Sequence, residues 1–231
     1  MSTKTTPKQR RQLANLGPIE QIRAGQMPRR LVQLLAGLAL YGFSLALVLR
    51  GTLGATPWDV LSTGLIRFIP VSFGTMTIIS SAFVLLLWIP LKQKPGLGTI
   101  ANAFLVGIAA DATLATIGEA ESLWARIALM LGGIFLNGVA TAMYIGSQLG
   151  PGPRDGLMTG LSRVSGKSIR LVRTGIEVTV VALGFALGGA LGVATVIYAL
   201  AIGPLAQWML PWFTIDLKMP QPTAQDIPSG L

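Results

Sequence analysis

An all-α polytopic membrane protein built from two homologous halves is the fold class this sequence predicts, and three observations predict it. The 231 residues are 52% hydrophobic and 12% charged, against about a quarter charged in a soluble domain. Six apolar stretches approach the ~20 residues that span a bilayer. These are Leu31–Leu49, Phe73–Leu91, Leu97–Ile117, Ile127–Ile145, Ile169–Gly188 and Leu191–Leu210. Finally, a fifteen-residue string starting at Leu53 recurs 96 positions later, with nine identities. The expected arrangement is six transmembrane helices plus two short re-entrant half-helices, with eight short spans as the alternative.

Residues 1–30 are basic and punctuated by Pro and Gly. They hold seven of the eighteen Lys and Arg residues, the excess that fixes a tail in the cytoplasm. A short surface helix is expected from Ile19 to Arg30. A secretory signal is not expected, because the apolar run from Leu31 is longer than a usual signal core. The first membrane repeat covers 31–117. Its opening segment carries Gly37, Tyr41 and Gly42, and small residues allow close helix approach in lipid.

The first copy of the motif follows: Leu53-Gly54-Ala55-Thr56-Pro57-Trp58-Asp59, continuing through Gly64 to Arg67. Proline suits the first helical turn, where its missing N–H would have had no partner. A helix from Pro57 to about Ile69, stopped by Pro70, spans only ~20 Å of a ~30 Å hydrocarbon core. It reads as a half-helix. Lys92-Gln93-Lys94-Pro95-Gly96 is a basic turn, and Gly118-Glu119-Ala120-Glu121-Ser122 an acidic linker. Trp88, Trp124, Trp208 and Trp212 stand at segment ends, as in an interfacial aromatic belt.

The second repeat, 123–212, returns the motif as Leu149-Gly150-Pro151-Gly152-Pro153-Arg154-Asp155, ending Gly160-Leu161-Ser162-Arg163. Beyond the motif, Gly37/Gly133, Gly42/Gly138, Gly96/Gly192, Thr99/Thr195 and Gly107/Gly203 match at the same offset without a gap. Such duplication is the signature of repeat-built transporter folds. Residues 213–231 form a short polar tail. Six spans place fifteen Lys and Arg inside and three outside; eight spans place fourteen and four. The shortness of the half-helix favours six.

The candidate solute or ion site centres on Asp59 and Asp155, each at the third position of its half-helix. A carboxylate there caps free N–H groups and complements the positive helix end. A broken helix that points its N-terminus into the protein also binds ions or anionic groups near the midplane, where a carboxylate can carry a cation or a proton. Both roles are open at this stage. Gly54 and Gly150 allow close backbone approach to a solute or simply form the turn. Arg154 stands where the first copy has Trp58, so the two half-sites differ; it attracts an anion or neutralises Asp155. Tyr41 aligns with Asn137, and Asn102 with Tyr198. Polar groups at that depth face protein or water, so these pairs bond across the halves or line a cavity. Asp111 is a relay candidate or a hydrated interfacial group. Glu177, four residues after Arg173, shares a helix face with it, and the two form an ion pair or part of a relay.

The chain has no cysteine and no histidine. Disulfides, Ser-His-Asp and Cys-His catalysis and the common zinc sites are thereby excluded. No phosphate loop, dinucleotide fingerprint or HExxH motif occurs, so neither an enzyme nor a cofactor is expected. The net charge of +9 is spent on topology, and no nucleic-acid partner is expected.

The paired motif, together with Pro95-Gly96-Leu97-Gly98-Thr99-Ile100-Ala101-Asn102, Gly107 and Asp111, resembles the YczE/YitT-type bacterial integral membrane family over about residues 31–212. The resemblance implies a multi-pass protein of the bacterial cytoplasmic membrane without a firmly assigned activity. YitT-like members often carry a soluble C-terminal domain, which so short a tail does not supply, so the likeness is to the YczE type. The expected function is a secondary-transporter-like permease or exporter of a small polar solute or ion. The competing reading is a non-transporting scaffold that engages a membrane partner or a second copy through Gly-rich helix faces.

Overall fold

The structure is a computed structural model and describes Gly17, Glu20, Gln21 and residues 24–217. Among these residues it is all helical, with eight helices: α1 Met27–Arg50, α2 Pro57–Ile66, α3 Phe73–Trp88, α4 Leu97–Thr116, α5 Leu123–Gly146, α6 Pro153–Ser165, α7 Ile169–Ala186 and α8 Val193–Phe213. By length and composition α1, α4, α5 and α8 can each cross a membrane, and α3 is a shorter apolar helix of 16 residues. The eighteen residues of α7 include Arg170, Arg173 and Glu177.

The first helix differs from expectation at its start. Ile19 and most of the basic tail lie outside the described residues, as does the tail beyond 217. Met27–Arg30 belongs to α1 itself, after a turn in which Gly25 and Gln26 take positive φ. Arg30, expected in the tail, is fully buried. Its guanidinium donates to the carbonyls of Ser147 (2.9 Å), Gln148 (2.8 Å) and Gln21, so it ties α1 to the end of α5. Trp88 is also no interfacial residue. It is 2% exposed, packs against Gly156 and donates its indole N–H to Pro153 O at 3.0 Å. An indole buried this way satisfies its single donor on the neighbouring half-helix.

Small residues set the helix spacing. α1 and α5 run antiparallel: Arg30 meets Ser147 at one end, and Gly51 lies against Arg126 at the other. A Cβ on Gly37 would fall 2.9 Å from Met143 Cβ, and one on Gly133 2.7 Å from Val48 Cγ2. Gly42 lies against Ala109 of α4, and Gly138 against Leu205 of α8. Among lipid tails, close packing of this kind holds helices together in place of hydrophobic exclusion.

The turns before α2 and α6 share one backbone. Thr52 and Gln148 have φ of 53° and 55°, and Gly54 and Gly150 have φ of 118° and 114°. This left-handed region favours glycine. Each turn is pinned by the start of a helix from the other half of the sequence: Ala194 N–H donates to Leu53 O (2.9 Å) and Gly98 N–H to Leu149 O (2.6 Å). A Cβ on Gly54 would lie 2.7 Å from Gly192 N. The two short helices also cross over: α2 packs chiefly on α7, and α6 chiefly on α3. The observed α2 has ten residues, fewer than expected.

Candidate solute or ion site

Proline at the first position starts both short helices, after Thr56 and Gly152 in extended conformation. Their N-terminal ends converge. Arg154, the second residue of α6, reaches across to Asp59 of α2, with Nη2 3.7 Å from Oδ1, and its guanidinium lies 5.1 Å from the centre of the Trp58 ring. The residue that replaces Trp58 in the second copy therefore stacks on Trp58 itself, a cation–π contact. Asp59 is 1% exposed and accepts a 2.6 Å hydrogen bond from Thr56 Oγ1 on its other oxygen. Asp155 accepts from the hydroxyl of Tyr144. Among the described residues neither carboxylate accepts a backbone N–H.

Between these ends lies a cavity of about 60 Å³, walled by Tyr41, Thr56, Trp58, Thr77, Ser81, Asn102, Tyr144, Arg154, Asp155, Arg173, Glu177 and Tyr198 among others. A single water needs roughly 10–15 Å³ of such space, so it holds a few waters or a small ion. The charged walls carry both signs. Arg173 Nε and Glu177 Oε1 pair at 2.8 Å on α7. The ring centres of Tyr41 and Tyr144 stand 6.0 Å apart, edge to face. Behind this wall Tyr198 donates to Asn137 Oδ1 at 2.8 Å, and Asn137 Nδ2 donates to Ser44 Oγ at 2.8 Å. Asp59 Oδ1 and Trp58 Nε1 are buried without a hydrogen bond; for Asp59, the 3.7 Å to Arg154 exceeds hydrogen-bond length.

Of the residues proposed from sequence, Tyr41, Asn102, Tyr198, Arg154, Asp155, Arg173 and Glu177 lie on this wall. Asp59 joins it through Arg154, and Asn137 through Tyr198. Gly54 and Gly150 instead pack on Gly192 and Gly96, forming the turns. Asp111 lies elsewhere: it accepts from Gly74 N–H at 2.7 Å and from Ser72 Oγ, holding the start of α3. Thr56, Thr77, Ser81 and Tyr144 were not singled out. Thr77 and Ser81, four residues apart, share a helix face, a spacing that marks them as a pair. Tyr144 has no polar twin, because Val48 occupies the matching position.

Apolar helices long enough to cross a bilayer, closed around a charged and hydrogen-bonded interior, define a polytopic helical membrane protein. Residues 28–211 match a family described as being of unknown function, DUF6198, and the chain belongs to that family. It is 38% identical over 177 residues to an uncharacterized protein of Haemophilus influenzae, covering 77% of this chain and 81% of the relative. It is 28% identical over 178 residues to the uncharacterized membrane protein YczE of Bacillus subtilis, covering 76% and 83% respectively. A second Bacillus subtilis protein, YyaS, is 25% identical over 179 residues, covering 76% and 89%. No solved structure matches the chain.

Proposed function

We propose that the protein is a secondary-transporter-like permease or exporter of a small polar solute or ion. In this reading two homologous halves of opposite orientation contribute three spans and one re-entrant half-helix each. Contacts that recur at the 96-residue offset support the repeat: Gly42 on Ala109 and Gly138 on Leu205, or Ala194 on Leu53 and Gly98 on Leu149. The antiparallel course of α1 and α5, which hold matching positions, supports the inversion.

The observation that carries the functional reading is the meeting of the α2 and α6 N-terminal ends at a buried polar cavity, with Arg154 of one paired to Asp59 of the other. Broken-helix transporters place such ends at their binding sites. A coupling ion or solute that takes over Asp59 or Arg154 changes the tie between the halves, which links occupancy to movement. Asp59 and Asp155 are the proposed coupling carboxylates. Arg163 donates to Leu91 O, Ser162 to Lys167 O, and Gly96 lies against Gln21 and Leu149, so Lys92, Lys94, Arg163 and Lys167 belong to the end of the bundle near the α1 N-terminus, which the positive-inside rule puts in the cytoplasm. The proposed location is the bacterial cytoplasmic membrane.

The test is a thermal-stability screen of the purified chain against ions and metabolites, since a ligand that binds the folded state raises its apparent stability. A hit should then drive flux in proteoliposomes, lost in Asp155→Asn at normal membrane levels. No stabilising solute, together with a stoichiometric co-purifying partner, would favour the scaffold instead.

A further inference from the structure

A second space lies on the lipid-facing side of the half-helices. α3 packs on α2, α4 and α6, α7 packs on α2 and α6, and α3 and α7 make little contact with each other. Between them opens a groove of about 940 Å³ whose floor includes Trp58 and Leu157 and whose walls include Phe83, Leu87, Ile176 and Val180. Its lining is almost wholly apolar and runs along α7 from Leu171 to Leu183, ~18 Å at helical rise. That is more than half of a ~30 Å hydrocarbon core.

Trp58 borders both the groove and the polar cavity. α7 divides them along its length: Arg173 and Glu177 face the cavity, while Val172, Gly175 and Ile176 face the groove. The Trp58 indole N–H is buried without a hydrogen bond at that partition. The cavity is small and polar, whereas the groove has ample room but almost no polar group.

We infer that cavity and groove are two parts of one site for a single-chain zwitterionic amphiphile, its polar head beside Arg154, Asp155 and the Asp59 carboxylate and its hydrocarbon chain in the groove. The inference rests on the transport reading of the cavity and narrows its substrate class. Carboxylates and guanidinium groups of both signs suit a head bearing an ammonium and a phosphate, and the apolar lining suits the chain. Trp58 is the movable barrier between them. Entry is sideways from the membrane, so a water-filled path across the protein is not needed for loading.

Gly175 supplies the test, because a Cβ there meets nothing within 4 Å. Gly175 lines the groove, so the ring of Gly175→Phe takes up groove space from a Cβ that meets no neighbour. The full chain in phosphatidylcholine nanodiscs is exposed to lysophosphatidylethanolamine carrying a diazirine in its chain, and cross-links are mapped by mass spectrometry. Labelling is expected on α3 and α7, falling about tenfold in Gly175→Phe and competed by unlabelled lysophosphatidylethanolamine far better than by phosphoethanolamine or a free fatty acid. Equal labelling of the exposed Val32 and Leu200 faces, unchanged in Gly175→Phe, would overturn the inference by showing ordinary surrounding lipid. So would competition by phosphoethanolamine alone, an outcome that leaves the small-solute permease standing. Groove labelling that passes these controls supports the amphiphile site even in a chain that carries no flux, in which case it is the transport reading that fails.

Discussion

Arg154 is paired with Asp59, a residue 95 positions away in the other copy of the motif, and not with Asp155 beside it. The ion pair spans the ends of two short helices that pack on different neighbours, so it ties together parts of the bundle that nothing covalent joins nearby. Asp59 is buried to 1% exposure, and its pair with Arg154 at 3.7 Å is long enough to be remade with another partner.

Breaking this pair from one side leaves a charge without its counterion. Asp59→Asn should destabilise the protein by about 3 kcal/mol, as losing one partner of a buried pair does. Adding Arg154→Met should recover most of that loss while leaving transport dead. Thermal unfolding of the single and double variants in one detergent measures both.

The glycines separate into two groups with opposite expected signs. Gly184→Ala puts a Cβ 2.5 Å from Leu61 N, a backbone atom that cannot step aside, so α2 and α7 must part at a cost of about 1–3 kcal/mol. Gly203 lies mid-helix with nothing within 4 Å of a Cβ, and Gly203→Ala should be neutral or stabilise by up to about 1 kcal/mol. Unfolding midpoints of the two variants should move in opposite directions or differ clearly in size.

Tyr198→Phe removes the hydroxyl that donates to Asn137 Oδ1 and leaves that buried oxygen without its partner. The expected cost is about 1–2 kcal/mol. Asn137→Leu with Tyr198→Phe should cost less than the sum of the single changes, a coupling that a double-mutant cycle reads directly.

The long apolar helices α1, α4, α5 and α8 were legible because each needs a long apolar run, and the short helices α2 and α6 because Gly and Pro punctuate their starts. What the sequence could not reveal was direction. Arg30 looks like a tail charge, yet it is buried because the carbonyl groups at the end of α5, more than a hundred residues on, receive it. Trp88 has the composition of an interfacial residue, but the missing side chain of Gly156 makes room for it inside. Asp111 and Asp155 are both carboxylates of membrane-embedded sequence, the first late in α4 and the second in the first turn of α6. Asp111 lies nine residues beyond Asn102 on α4, about 13 Å along the axis and on the opposite face, so it meets the start of α3 and not the cavity. Tyr144 escaped notice because comparing the halves finds residues that match, and it has no polar match.

A reporter fused after Glu121 tests the orientation of the halves. Six spans and two re-entrant segments place it outside the cytoplasm, where Ala120 N–H meets Arg50 O at 3.0 Å at the end of the bundle opposite Arg30. A cytoplasmic reporter would instead require eight crossings and parallel halves.

Transport of the kind proposed requires that the cavity between α2 and α6 open to each side of the membrane in turn. The chain has no cysteine, so Ser81→Cys introduces a single thiol on the cavity wall, at a position 5% exposed. Membrane-impermeant thiol reagents are applied to right-side-out and inside-out vesicles. Labelling from both sides, slower than at an exposed control site, is the predicted result; a thiol protected from both sides would contradict the account.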